Sequence, residues 1–445
     1  MRPLRRVLVT ACALTGTTNA VARFTGVRWL LPDVLVTRFA GLIGVDATSL
    51  GARLAAIRSF EDSRWTGYWN AIADERLATA HRYLALPAAA IGLQLPPLES
   101  LFAPKGAEVI GTLLGPAADY LGDRGYGLTP VASDRRAGFD GTDPVVDARL
   151  AAIDALIEAI FYRTVAAWPG ATTPSRSMAY IASRQLVDVL LAGLGPHLDV
   201  DIAQVGIRVG IETVQAVTIF PRGTQRCPVV LATNGLDGTV QELVLSLLKY
   251  RRRGLGMVIM EMPGSNLARQ SMSRDSAAIY QAVIDELSVH PRVDAGRLAM
   301  FGLSFGGYWA AHTAAVDARV RCAVCVGAPT HRGFGPGAAI GVAQPMIRAL
   351  RTALGAHGFL DMGRKLASLS LRRLYARIAV PLLVIDGEFD TVVDVRDSRE
   401  LAAAVANSTL RLYPGDDHCA PMHYTEWLDE AMNWLIDELA APDPR

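Results

Sequence analysis

The sequence predicts an α/β protein, a mostly parallel sheet flanked by helices, preceded by a mainly helical region of about two hundred residues. Three observations predict it. From about residue 203 short apolar runs alternate with helical stretches, whereas before that point apolar residues recur at spacings of three and four. The stretch RLAMFGLSFGGYWAAH sets glycines on both sides of one serine, where a strand pattern gives way to a helical one. We therefore divide the chain into a helical part, 1–202, and a sheet-bearing part, 203–445.

Size and composition support that division. At 445 residues the chain exceeds the length at which a single core stops growing. With 51% hydrophobic and 20% charged residues it buries enough apolar surface to offset its ordering entropy. Lys and Arg number 44 against 43 Asp and Glu, so no overall charge marks a nucleic-acid binder. The densest basic cluster, Lys249 with Arg251, Arg252 and Arg253, closes the helical pattern TVQELVLSLLKYRRRG. There the helix dipole favours cations and Gly254 can cap, a better account than a phosphate or membrane patch.

Five scattered cysteines make no disulfide framework and suit a reducing compartment. Cys322 and Cys325 spell CxxC, but in the strand-like run VRCAVCVGAP positions three apart point to opposite faces, which makes them small core residues. The opening MRPLRRVLVTACALTGTTNAVA imitates a signal peptide, yet threonines break its apolar part and Arg23, Arg28 and Arg38 interrupt the stretch beyond it. A cytoplasmic protein is expected, with export by a signal peptide the alternative.

In the helical part, ARLAAIDALIEAIFYRTVAAW carries a clear helical period. Two glycine-rich segments, APKGAEVIGTLLGPAADYLGDRGYG and SDRRAGFDGTDP, read as loops that interrupt it. In the sheet-bearing part VGIRVGIETVQAVTIF reads as a strand pair. After it come CPVVLATNG, GMVIMEMPG, RLAMFGLS, VRCAVCVGAP, VPLLVIDGEFD and STLRLYP, most of them leading into a helix. Such alternation means crossover connections, and in parallel sheets of this kind chemistry collects at the carboxyl ends of the strands.

Gly302-Leu303-Ser304-Phe305-Gly306 matches G-x-S-x-G, a turn on which the serine hydroxyl stands exposed above the sheet. A serine is a poor nucleophile without a base, and the base needs a carboxylate that fixes its tautomer. Asp390 ends VPLLVIDGEFD and is the first choice for the acid, ahead of Asp386, read as a turn former, and Asp394. His418, in YPGDDHCAP between the last strand and the closing helix, is the base, with His423 the fallback. An oxyanion would be met by the backbone N–H of Phe305 and, from the loop after CPVVLATNG, of Leu236.

Together ATNGLDG, MEMPGS, RLAMFGLSFGGYWAAHTAAVDARVRCAVCVGAP, PLLVIDGEFDTVV and LYPGDDHC resemble the α/β-hydrolases grouped with the fermentation-respiration switch protein. Similarity extends to dihydroxypseudooxynicotine hydrolase and the polyketide-shortening hydrolases, over roughly residues 205 to 440. The resemblance implies an α/β-hydrolase fold with a helical N-terminal cap. It implies hydrolysis of an ester, thioester or related acyl compound, or else cleavage of a C–C bond in a polyketide or β-diketone-like substrate; a binding protein without turnover is the reading from another class. SRWTGYWNAIADERLATAHRYL, with Trp65 and Trp69 one turn apart, resembles the family's cap helices, and core packing explains the pair equally well. For the extra acid of C–C cleavage Glu261 is the candidate, though a hydrogen-bonded loop anchor accounts for it better. The family's PGxGxS reads PGSNLA here, so contacts from that loop do not carry over.

The expected partner is a small acyl or polyketide-like molecule, with no nucleic acid and no stable membrane insertion; homodimerisation stays open. No cofactor and no metal are expected, since Cys419 beside His418 lacks ligand-spaced partners.

Overall fold

The computed structural model describes residues 3–124, 143–210, 212–223 and 226–442. Eight strands form one sheet: β1 Val200–Val209, β2 Glu212–Pro221, β3 Cys227–Thr233, β4 Gly256–Met260, β5 Val293–Leu303, β6 Val320–Val326, β7 Leu382–Gly387 and β8 Ser408–Tyr413. Their order is β1-β2-β4-β3-β5-β6-β7-β8. The first two strands make an antiparallel hairpin and β2 meets β4 antiparallel; from β4 onward every pairing is parallel. Each strand coincides with one of the expected runs, and β1 begins at Val200, slightly ahead of the expected 203.

Strands β4, β6 and β7 are buried along their whole length, which parallel pairing under two layers of helix requires. Alternate residues of β6 belong to different cores. Cys322 joins a core that holds the N-terminal helices and the helices Val240–Leu247 and Tyr424–Ala440. Cys325 joins the core on the other face, with the helices Ala277–Val289 and Phe305–Val316. The CxxC pair is thus split by the sheet, and burial pushes both thiols well above the ordinary range. Among the described residues no single helix is long and apolar enough to cross a membrane.

The segment APKGAEVIGTLLGPAADYLGDRGYG departs, as far as Arg124, from its reading as a loop, and its last three residues lie outside the described ones. Ala107–Leu114 and Ala118–Arg124 are helices. Its glycines mark close approaches, because a Cβ on Gly111 would lie 2.6 Å from the Gly193 carbonyl and one on Gly122 would lie 2.5 Å from the Arg251 guanidinium. SDRRAGFDGTDP lies almost wholly outside the described residues; Asp143 near its end caps the helix Pro144–Ala167.

The basic cluster also differs in its detail. Arg251 is buried and pairs with Asp119 at 2.7 Å and Asp123 at 2.6 Å, while Lys249 meets Asp429 at 2.5 Å. These cations join the N-terminal helices and the last helix to the sheet layer. Gly254, at φ 71°, lies beyond the short turn Leu248–Tyr250 rather than on the helix end, so acidic partners take the place of a cap.

Trp65 and Trp69, on the helix Asp62–Ala90, are fully buried. Trp65 packs against Phe60 and Trp168, and its indole N–H donates to the Val165 carbonyl at 2.8 Å; Trp69 stacks on Tyr162. Packing is their role. Trp65→Ala should lower the unfolding free energy by about 3–5 kcal/mol, read as a lower urea midpoint at unchanged slope. Trp65→Phe, which loses mainly the indole hydrogen bond, should cost visibly less.

Candidate active site

Strand β5 ends at Leu303 and the helix Phe305–Val316 begins at the second residue after it, so Ser304 alone makes the turn, at φ 52° and ψ −121°. Glycines permit it. A Cβ on Gly302 would sit 2.0 Å from the Gly306 carbonyl, and one on Gly306 would sit 2.2 Å from the Thr233 carbonyl on β3. The Ser304 N–H donates to Val326 at 2.7 Å, which ties the turn to the end of β6.

Ser304 Oγ lies 3.0 Å from His418 Nε2, and His418 Nδ1 lies 2.6 Å from Asp390 Oδ2. The other Asp390 oxygen accepts the N–H groups of Val392 and Val393, each at 2.7 Å. With Nδ1–H donated to the carboxylate, Nε2 is left to accept from the serine hydroxyl. Asp417, which sequence reasoning passed over, braces this arrangement by accepting from the His418 N–H at 2.7 Å and from the Thr391 N–H and hydroxyl. The only sequence signal for it was the doublet of acids before the histidine.

The rival residues are committed elsewhere. Asp386 is buried and accepts from the Ser398 hydroxyl at 2.7 Å and the Gly387 N–H at 2.9 Å. Burial, with the Asp390 charge adding to it, holds its carboxyl well above the usual range. Asp394 pairs with Arg396, and His423, in the turn Pro421–His423 just ahead of the closing helix, pairs with Asp416 at 2.8 Å. Glu261 accepts from the Tyr180 hydroxyl, from Asn266 at 2.8 Å and from the Val240 N–H at 3.3 Å, which makes it a loop anchor. Ligand atoms of Asp386, Asp390 and His418 lie within 4.8 Å of one another, but a cation there would have to break the Asp390–His418–Ser304 chain.

Leu236 and Phe305 both border the cavity in front of Ser304. As first residue of its helix, Phe305 has an N–H without an intrahelical acceptor. The loop carrying Leu236 touches Ser304, since a Cβ on Gly235 would lie 2.8 Å from Ser304 Cβ. Arg38 holds that loop from the helix Asp33–Ile43, reaching Asp237 at 2.9 Å, its carbonyl at 3.3 Å and Glu242 at 2.9 Å, while the Trp168 indole donates to Asp237 at 2.8 Å. No local signal marks Arg38, because its partners lie some two hundred residues away in the chain.

The cavity encloses about 200 Å³. From the first two hundred residues only a few short stretches reach it, among them Arg6, Leu35 and Arg38. A larger share of its wall comes from the long connection between β6 and β7, which holds the helices Gln344–Ala353 and Phe359–Ser368. A crossover needs about a dozen residues, so the excess length there was the available signal for a second roof.

A family model described as Esterase FrsA-like matches residues 206–440. The chain belongs to that family. Esterase FrsA of Vibrio cholerae serotype O1 is 28% identical over 223 residues, 48% of this chain and 53% of the relative. Esterase FrsA of Photobacterium profundum is 26% identical over 304 residues, 65% of this chain and 70% of the relative. The chain thus spans about half the length of the Vibrio relative. Among solved structures, the 2,6-dihydroxy-pseudo-oxynicotine hydrolase matches with TM-score 0.62 at 18% identity over 90% of this chain and 95% of that one. AbyA5 matches with TM-score 0.57 at 23% identity over 65% and 85%. Both show the α/β-hydrolase fold, and at 90% coverage the first likeness takes in most of the helical half as well.

Burial alone would drive the His418 imidazole down, but the Asp390 carboxylate outweighs it and the ring is held well above its ordinary 6.5. A raised folded-state value means stability that is fully present below the unfolded value and lost as pH rises through the folded one. NMR titration should place the His418 midpoint above 6.5, and Asp390→Asn should lower it, because the carboxylate charge that most strongly opposes burial is then gone. The same variant should remove the loss of stability across that window.

Proposed function

We propose that this protein is a serine hydrolase that cleaves an ester, thioester or related acyl substrate through an acyl-enzyme on Ser304. The observation that carries the reading is the hydrogen-bonded chain Ser304–His418–Asp390, built on a left-handed turn at the floor of an apolar cavity. Membership of a family of esterases supports it.

In this reading Ser304 Oγ attacks the substrate carbonyl as His418 Nε2 takes its proton, and Asp390 stabilises the imidazolium. The oxyanion is met by the N–H groups of Phe305 and Leu236. Collapse of the tetrahedral adduct expels the alcohol or thiol, which takes the proton from His418. Water, deprotonated by the same imidazole, then hydrolyses the acyl-enzyme and frees Ser304. Cleavage of a C–C bond is the weaker reading, because Glu261, the acid available to help it, is engaged by Tyr180, Val240 and Asn266 away from the cavity. A binding role without turnover would leave the serine-imidazole-carboxylate alignment unexplained.

Residues 1–202 would then serve as a helical cap on a catalytic part, 203–445, with Arg38 its link to the oxyanion loop. The test combines p-nitrophenyl acetate or butyrate turnover with labelling by a fluorophosphonate probe. Wild type should show burst release and label at Ser304, and turnover should rise with pH as His418 loses its proton. Ser304→Ala and His418→Ala should each lower kcat by about 10⁴–10⁶-fold, and the double variant by little more. Additive losses, or absence of both burst and label, would refute the reading.

A further inference from the structure

The cavity extends from Ser304 under the two helices inserted between β6 and β7, and those helices offer it apolar side chains alone. Met346, Ile347 and Leu350, at helical spacings of one and four, lie on one face of Gln344–Ala353, while Arg348 and Thr352 do not line the cavity. Met362 and Leu366, one turn apart, do the same from Phe359–Ser368. No side chain that either helix presents to the cavity carries an N–H, an O–H or an oxygen. Polar groups gather instead around Ser304, where Arg38 is engaged with Asp237 and Glu242, and at the loop ahead of the first of these helices, where Arg6 donates to the Ile340 carbonyl at 3.0 Å.

We infer that this end of the cavity is an acyl pocket, and that the acyl group is a flexible, oxygen-poor aliphatic chain of about six to eight carbons. The inference rests on the hydrolase reading above. A polyketide or hydroxylated aromatic acid would bury oxygens against these helices without partners, a loss that polar sites avoid and apolar ones impose. Methionines on both helices suit a chain with many rotamers, since an unbranched thioether adapts to the contour it meets. The volume sets the length. A closed apolar cavity of about 150 Å³ holds benzene, and about 200 Å³ is the whole cavity, the space in front of Ser304 included, so it takes the ester carbonyl with a chain of this size and little more.

A p-nitrophenyl ester series from acetate to laurate tests this, with p-nitrophenyl benzoate as the aromatic comparison and fluorophosphonate labelling of Ser304 measured in parallel. In wild type kcat/KM should climb about fourfold per added methylene to a maximum near six to eight carbons, and octanoate should exceed benzoate by at least tenfold. Met346→Trp and Leu350→Trp, at half-buried positions that tolerate volume, should each cut the octanoate-to-acetate ratio at least tenfold, and Met346→Leu should retain it. Labelled, active enzyme that prefers acetate or benzoate would overturn the acyl-pocket inference and leave the hydrolase reading standing. So would a rising series whose ratio neither tryptophan variant moves. Absence of label and of turnover on every ester would overturn both.

Discussion

Everything at the active end of this molecule depends on the distance between β3, β5 and β6. Ser304 occupies a backbone region costly for any residue with a Cβ, and the turn holds because its neighbours leave it no room to relax. The Thr233 carbonyl of β3 presses on Gly306 from one side, and the Val326 carbonyl of β6 takes the Ser304 N–H from the other. Those positions are fixed by parallel pairing in the middle of the sheet, where Gly302 lies opposite Thr233 and Leu303 opposite Val326. Sheet packing on two faces therefore secures the serine more than any contact of the serine itself.

The histidine is held by a different device. It lies 28 positions beyond its carboxylate partner, on a separate loop, and a few ångströms of drift would part them. The loops are therefore bonded to each other as well as through the imidazole. Phe389 N–H donates to the Asp416 carbonyl, Glu388 N–H to Tyr413, and Thr391 to the Asp417 carboxylate. Gly387 comes so close to the Asp417 carbonyl that a Cβ would lie 2.0 Å from it. Cys419 and Ala420 take positive φ directly after the histidine, so the chain turns away at once and leaves the ring over the serine.

Which of these features could be read in the sequence depends on the range of the interactions behind them. The turn at Ser304 and the strand-helix alternation are written in adjacent residues, where sterics act within a few bonds, and both stand in the structure as the pattern implied. Gly111 and Gly122 misled because a glycine that lets a neighbour come close to a helix is indistinguishable, in one dimension, from a glycine that lets a chain turn. Arg38 and the Met346 face were illegible for a further reason. An arginine on an apolar-periodic helix, or a stripe of methionine and isoleucine, acquires meaning only from its neighbours in the fold, here Asp237 and Glu242 in one case and the space in front of Ser304 in the other.

Arg38 also explains why the helical half cannot be a detachable cover. Burial pushes the Glu242 carboxyl up while Arg38 pulls it down, and Glu242 in turn accepts from the Thr239 N–H to start the helix just beyond the loop that carries Leu236. Withdrawing the guanidinium would leave two nearly buried acids beside each other, a loss of about 3–5 kcal/mol by analogy with broken buried pairs. The loop would answer by moving, and Leu236 with it. The cation thus couples two things that are separate in the chain: packing of an N-terminal helix and the position of a backbone N–H next to Ser304. Folding of the first half and geometry of the loop beside Ser304 are in that sense one equilibrium, linked through Arg38 and the Trp168 indole on Asp237.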